Sequence, residues 1–217
     1  MEVTVTTGDA KLLPELESSV AHRLGESEID QERRVFLERI SDFVMLKLAD
    51  GEPARLVFIC THNSRRSHLS QLWAQVAAEF YGVTGVEAYS GGTETTAFNP
   101  RAVAALRRAG FLIEPFTDGA NPIYEVSFSE GMDPMQAFSK VYDQKPNPTE
   151  GFAAIMTCSA ADAACPIVFG AEERIAIPFD DPKEADGTER EAEIYDERCR
   201  QIAREMLYVF REVSRRT

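Results

Sequence analysis

The sequence predicts an α/β protein: a three-layer sandwich in which helices flank a small four-stranded parallel sheet, preceded by a helical hairpin. Three observations carry that prediction. Uninterrupted apolar runs such as Leu56, Val57, Phe58, Ile59 are rich in strand formers and do not alternate, the pattern of a strand buried on both faces. Runs with apolar residues at helical spacing alternate with these strands, which implies parallel strands joined by crossovers. A chain of 217 residues with 44% hydrophobic content can bury such a sheet under a layer on each side.

Charge narrows the function. The formal net charge is −13, so phosphate backbones and anionic membrane surfaces repel the molecule, and nucleic acid and membrane are not expected as partners. No stretch reaches the roughly eighteen consecutive apolar residues of a membrane span. Met1 to Leu13 lacks the charged and apolar regions of a signal peptide. The expected location is the cytoplasm, where the four cysteines are reactive or buried thiols rather than structural disulfides.

Two parts are expected, an N-terminal helical extension over residues 1–52 and an α/β domain over 53–217 with an insertion at about 115–150. In the extension, Leu13, Leu16, Val20 and Leu24 form one stripe. After Gly25 and a capping-type Ser27, a second stripe carries Phe36, Leu37, Ile40, Val44 and Leu48. This reads as a packing or dimerisation element, and His22 is a lone histidine with no companion for chemistry.

The domain opens on Arg55 to Ser67, RLVFICTHNSRRS, where a strand ends in Cys60. Ser67, Leu69, Leu72, Trp73, Val76 and Phe80 recur at helical spacing, so a helix starts at about Arg66 and points its positive end back at the loop. Strand, loop and helix N-terminus together make an anion site built from Thr61, His62, Asn63, Ser64, Arg65 and Ser67. A thiol held among backbone N–H groups beside a guanidinium favours the thiolate, which makes Cys60 a nucleophile. The Arg66 fork can bind two oxygens of a tetrahedral oxyanion and hold its central atom in line with the sulfur. Ser67 would donate its hydroxyl to that sulfur.

Val86 to Ser90 is a second strand, with Gly91 and Gly92 as a turn; Asn99 caps a helix that has Pro100 at its first position and stops at Gly110. Proline and glycine punctuate 115–150 too densely for a regular βα unit. Ile123, Val126 and Phe128 can edge one strand and Phe138 to Tyr142 another, giving a hairpin or lid in a surface insertion, with a substrate-selecting flap as the alternative. Phe152 to Thr157 is a buried strand with Cys158 at its end. If it neighbours the Cys60 strand, at the usual spacing of about 4.8 Å, the two thiols can react. Ser159 caps a helix-forming run that ends at Cys165, before Pro166. Seven residues of helix rise about 10.5 Å whereas a disulfide spans Cα atoms within about 7 Å, so Cys158 and Cys165 can pair only if that helix unwinds. Ile175 to Phe179 is the last strand. Thr188 with Glu191 makes a capping box for a final helix whose face of Tyr195, Cys199, Ile202, Met206, Val209 and Val213 is core.

With its C-x5-R-S loop after the first strand, the sequence resembles the low-molecular-weight protein tyrosine phosphatase superfamily, and the run from Ser90 to Glu94 with Asn99 to Val103 extends the match. The Cys158 and Cys165 pair makes it similar to the thioredoxin-coupled arsenate reductase branch of that superfamily. The resemblance implies reduction of arsenate to arsenite by a relay of Cys60, Cys158 and Cys165, with an external thioredoxin-type reductant and neither metal nor bound cofactor. It places the general acid in the Asp-Pro step at Asp181, with Asp180 as a solvated neighbour. The alternatives are a tyrosine or other phosphomonoester phosphatase using Cys60, Arg66 and Asp181, and a non-enzymatic module that binds an oxyanion or senses oxidation. Four positions depart from the family pattern. His62 stands where glycine is frequent and Arg65 where cysteine is, both adding positive charge to the loop, and Lys183 and Glu184 stand where tyrosine phosphatases often have aromatic residues.

Overall fold

Leu56 and Phe58 face one side of the central strand, Val57 and Ile59 the other, and all four are fully buried. That double burial is why the strand has no polar alternation. In the computed structural model, which describes residues 11–24, 29–165 and 167–217 without the side chains of residues 23 and 24, this strand is β1 (Ala54–Cys60). It pairs in parallel with β2 (Val86–Gly92) on one side and β6 (Phe152–Met156) on the other, and β7 (Ala171–Ala176) completes the order β2-β1-β6-β7. The four-stranded parallel sheet is the one the sequence predicts.

Helices α2 (Gln31–Ala49), α3 (Arg66–Phe80) and α6 (Glu191–Arg216) contribute Leu37, Ile40, Trp73, Met206 and Phe210 to the larger core over Leu56 and Phe58. The opposite face is covered more thinly, by the six-residue α5 (Ser159–Ala164) and by Val168, Tyr89 and Tyr142. The thiols Cys60, Cys158 and Cys165 lie in this second, smaller cluster. Helix α1 (Pro14–Leu24) packs so closely on the turn after α4 (Pro100–Arg108) that a Cβ on Gly110 would come within 2.4 Å of the Leu16 nitrogen. Among the described residues no helix is long and apolar enough to cross a membrane.

The structure changes several expectations. Gly91 and Gly92 are not a turn; they are the last residues of β2, paired with Ile59 and Cys60. Glycine is needed there because of close approach: a Cβ on Gly91 would sit 2.3 Å from the Tyr142 Cα, and one on Gly92 would sit 2.7 Å from the Thr61 oxygen. The 115–150 region holds the expected hairpin, in which β4 (Tyr124–Ser127) pairs with β5 (Met135–Ala137); with β3 (Leu112–Pro115) it makes a second, antiparallel sheet whose Ile113, Val126 and Ala137 enter the main core. The strand expected at Phe138 to Tyr142 lies three residues earlier; Val141 instead makes an isolated bridge to Gly92. Strand β7 begins four residues before Ile175, since an edge strand reading AEERIA buries little and carries no apolar run. Cys158, not Ser159, caps α5, its sulfur accepting from the Ala161 N–H. Thr188 and Glu191 do not form the expected capping box: α6 starts at Glu191 after an Arg190 N-cap without a side-chain cap, and the two side chains instead bond the preceding turn, Glu191 accepting from the Gly187 N–H and Thr188 from the Arg190 N–H. The Asn99 cap is as expected, accepting from the Arg101 N–H. The expectations resting on Leu24, Gly25, Ser27, Pro166 and residues 1–10 lie outside the described residues.

Gly91→Ala is expected to lower stability by about 1–3 kcal/mol, because the atom it meets is backbone and β2 must part from the Tyr142 segment. Urea unfolding checks this; an unchanged midpoint would mean the segment yields freely.

Candidate active site

The loop from Cys60 to Ser67 is held by its carbonyls. Thr93 N–H donates to the Cys60 oxygen, Glu94 N–H and the Thr93 hydroxyl to the Thr61 oxygen, and Asn99 N–H to the Ser64 oxygen. The His62 oxygen accepts from the Thr96 and Ser139 hydroxyls. In a trans peptide C=O and N–H point opposite ways, so tying the carbonyls outward turns the intervening amides inward, as an oxyanion cradle requires. Asn63 makes the reversal in the left-handed region, at φ 43°, where asparagine is tolerated better than most residues.

Hydrogen bonding fixes the protons around the sulfur. The Lys140 backbone N–H donates to Asn63 Oδ1 at 2.9 Å, so the Asn63 amide nitrogen must face Ser67, 2.9 Å away. The Ser67 hydroxyl accepts that bond and therefore turns its own proton to Cys60 Sγ, at 3.1 Å. A hydroxyl aimed at sulfur stabilises the thiolate. Nothing in the sequence marks Lys140 for this task, because it contributes its backbone.

Arg66 donates to Asp181 Oδ2 at 2.6 Å and to the Phe179 carbonyl at 2.9 Å, and its Nε is buried with no hydrogen-bond partner among the described residues. Asp181 also caps the short 3₁₀ turn Pro182–Ala185, accepting from the Lys183 N–H. Asp180 is 92% exposed and meets only Arg198, at 3.3 Å. Lys183 and Glu184 are exposed on the turn. His62 faces Glu94, and Arg65 is engaged by Tyr195 and Asp186. Burial, followed by the bond to Asp186, pushes the Tyr195 phenol up to about 12. A cavity of about 290 Å³ opens beside the loop, lined by His62, Ser64, Arg65, Asn99 and Lys183 among others.

The second thiol pair flanks the loop. Strands β1 and β6 are adjacent and in register through Ile59 and Met156, so Cys60 and Cys158 leave neighbouring strand ends. Thr61 Oγ1 lies 3.5 Å from Cys158 Sγ. Cys165 is half-buried at the far end of α5, and none of the four cysteines is joined in a disulfide. Arg174 of β7 ties down that end by donating to the Cys165 and Asp162 carbonyls and pairing with the Asp162 carboxylate. Cys199 is core and accepts from the Trp73 indole at 3.2 Å.

No motif marks the residues that brace the loop from behind. The amide of Asn121 brackets Ser139, accepting from its N–H and donating to its carbonyl, while the Ser139 hydroxyl bonds the His62 oxygen. Asn147 donates to the Ser90 and Tyr142 carbonyls. His68 is fully buried, its Nδ1 3.1 Å from the Ser90 hydroxyl and its ring stacked on Phe98 at 4.1 Å. Burial, reinforced by the nearby Lys140 ammonium, holds it well below the usual histidine range. Burial alone lowers Lys140 to about 8.

An oxyanion cradle, a strand-end thiol and a parallel sheet of this order define a class, the small cysteine-dependent enzymes that act on tetrahedral oxyanions. The profile of the low molecular weight phosphotyrosine protein phosphatase family matches residues 55–129. An arsenate reductase of Bacillus licheniformis is 31% identical over 160 residues, spanning 73% of this chain and 96% of its own. The chain belongs to the low molecular weight phosphatase family, on the side of its arsenate reductase relatives. Solved structures like it include a low molecular weight protein tyrosine phosphatase from T. tengcongensis, with TM-score 0.49, 16% identity and coverage of 73% of this chain and 98% of that one. A thioredoxin-dependent arsenate reductase of Corynebacterium glutamicum gives TM-score 0.43 at 16% identity, covering 94% of this chain and 86% of that one.

Lys140 gives a pH test. Its folded value, about 8, lies below 10.5, so between those pH values the unfolded chain binds more protons and stability rises with pH; below about 8 the penalty is complete. Lys140→Met should therefore be more stable than the parent at pH 7, by an amount on the order of 3 kcal/mol at most, with the advantage shrinking as pH approaches 10.5. For His68 the unfolded ring gains a proton below 6.5 and the folded ring does not, so its contribution is lost as pH falls below 6.5. Paired urea titrations at pH 7 and 10 check the lysine; an advantage that does not change with pH contradicts the assignment.

Proposed function

We propose that the protein reduces arsenate to arsenite through a relay of three thiols, using a dithiol reductant of the thioredoxin type. The carrying observation is the grouping of three free thiols, with Cys60 on the oxyanion loop, Cys158 at the adjacent strand end and Cys165 in the same small core cluster. The Cys60 thiolate, steadied by Ser67, attacks the arsenic of an arsenate cradled by the loop amides and Arg66. An arsenate oxygen leaves as water after taking a proton from Asp181, the carboxyl group that meets the Arg66 fork. Cys158 then attacks the Cys60 sulfur. The sulfur–arsenic bond pair goes to arsenic, which departs as arsenite reduced by two electrons, and the two sulfurs oxidised by that loss are joined as the Cys60–Cys158 disulfide. Cys165 attacks Cys158 and releases Cys60, and the external dithiol reduces the resulting Cys158–Cys165 bridge. Such a relay fits a reducing cytoplasm.

A second reading, phosphomonoester hydrolysis, needs only Cys60, Arg66 and Asp181, and the family match favours it. The exposed Lys183 and Glu184 offer no aromatic seat for a phosphotyrosine ring. Turnover of arsenate with a thioredoxin system, run beside aryl phosphate hydrolysis, separates the two readings.

Cys158→Ser and Cys165→Ser should stop multiple-turnover arsenate reduction yet spare aryl phosphate hydrolysis, since water can resolve a phosphocysteine. The Cys165 variant should accumulate the Cys60–Cys158 bridge after one turnover, which mass mapping detects. Repeated arsenate cycles at the parent rate in both variants would remove the relay.

Asp181→Asn should slow departure of the leaving oxygen by about a hundredfold or more, with a defect that shrinks as the leaving phenol becomes more acidic. Asp180→Asn should be much milder, given its exposure. The reverse ranking would show that the wrong carboxylate had been chosen.

A further inference from the structure

We propose that Arg33, on the N-terminal helix α2, is a positioning residue that holds segment 177–181 so that the Phe179 carbonyl and the Asp181 carboxylate meet Arg66. The inference rests on the reading in which Arg66 and Asp181 serve the reaction. It assigns a task to the N-terminal extension.

The segment leaves β7 and runs past the site with the Ile177 and Phe179 side chains in the main core, so its carbonyls are what remain to be oriented. Its N–H groups are held from one side, Ile177 donating to the Met156 carbonyl and Phe179 to the Thr157 carbonyl. Its carbonyls are held from the other. Arg33 donates to the Ile177 oxygen and to the Pro178 oxygen, each at 3.2 Å, while Arg66 takes the Phe179 oxygen at 2.9 Å. The Arg33 guanidinium also lies over the Phe179 ring, 4.7 Å from its centroid. Two arginines thus grip three successive carbonyls, one from α2 and one from the catalytic loop. Residue 181 follows two positions later with its carboxylate on Arg66.

Arg33 is itself aimed. Its Nε and Nη2 both reach Glu205 Oε2, at 2.9 and 2.8 Å, and the Glu205 side chain is only 2% exposed. Gln201 donates to the other oxygen of that carboxylate. A planar guanidinium can bind one carboxylate, two carbonyls and a ring face at once; an ammonium cannot. A simple ion pair between α2 and α6 would need only the Glu205 contact. The extra bonds go to the segment that carries the general acid.

The test must separate positioning from bulk stability. Glu205→Gln keeps the carbonyl bonds, so its activity should stay near that of the parent. Arg33→Met in the Glu205→Gln background removes the grip without stranding a buried charge. Turnover should fall roughly tenfold or more relative to Glu205→Gln, since misplacement of about 1 Å can cost about a hundredfold. The loss should be greater for poor leaving groups, and it should nearly vanish when the same change is made on Asp181→Asn. A merely structural Arg33 predicts equal losses in both backgrounds and no leaving-group dependence, and either result overturns the proposal. Should the double variant not fold, Arg33→Lys, which keeps a cation for Glu205 but cannot span both carbonyls, should show an intermediate loss of the same kind, and parent-like kinetics would refute it. If the parent turns over neither substrate, the functional reading has failed and amide exchange still decides. Phe179 and Lys183 amides should exchange faster in the Arg33→Met double variant than in Glu205→Gln, and unchanged exchange there would sink the mechanical link.

Discussion

The outward anchoring of the loop carbonyls is the constraint on which the rest of the structure depends. An anion cradle needs several amides aimed at one point, and a chain of small polar residues has no tendency to hold that shape by itself. Here the shape is imposed from outside, by Thr93, Glu94 and Thr96 after β2, by Asn99 at the start of α4, and by Ser139 and Lys140 behind. The approach is so close that β2 must end in two glycines. The loop after β1 therefore belongs to the whole sheet edge.

This explains what could and could not be read from the sequence. The strand ending at Cys60, the helix beginning at Arg66 and the cap at Asn99 announce themselves through local pattern, and each lies where local pattern puts it. Alternation of strand and helix made the sheet parallel but left the adjacency of β1 and β6 conditional, and it is their pairing in the structure that brings Cys158 beside the loop. What failed was of two kinds. Strand β7 is an edge with charged residues on it, and β5 is three residues long after a proline, so neither carries a hydrophobic period. The bracing by Lys140 and the grips on the Ile177 and Pro178 carbonyls use backbone atoms, which every residue possesses and no motif records.

The electrostatics follow the same division between surface and interior. A chain with 36 acidic and 23 basic residues would repel an oxyanion, so the attraction must be local. In the proposed reading it comes from the Arg66 guanidinium and from oriented amides, while His62 faces Glu94 and Arg65 is matched to Asp186. Beneath the loop a neutral His68 and a destabilised Lys140 are buried against Phe98 and Phe138. That burial costs stability.

Helix α5 sets the two outer thiols at its opposite ends, and Arg174 latches the end that bears Cys165. In the proposed relay this makes the helix a term in the redox potential. Whatever free energy the reduced protein gains from α5 and its latch is lost when the bridge forms, so it favours the dithiol over the disulfide. For a two-electron couple about 1.4 kcal/mol of such bias raises the potential by about 30 mV. A stiffer helix would give a more oxidising bridge, easier for a reductant to discharge but harder for arsenate to charge. The strength of a six-residue helix would thus divide the driving force between the two halves of the cycle.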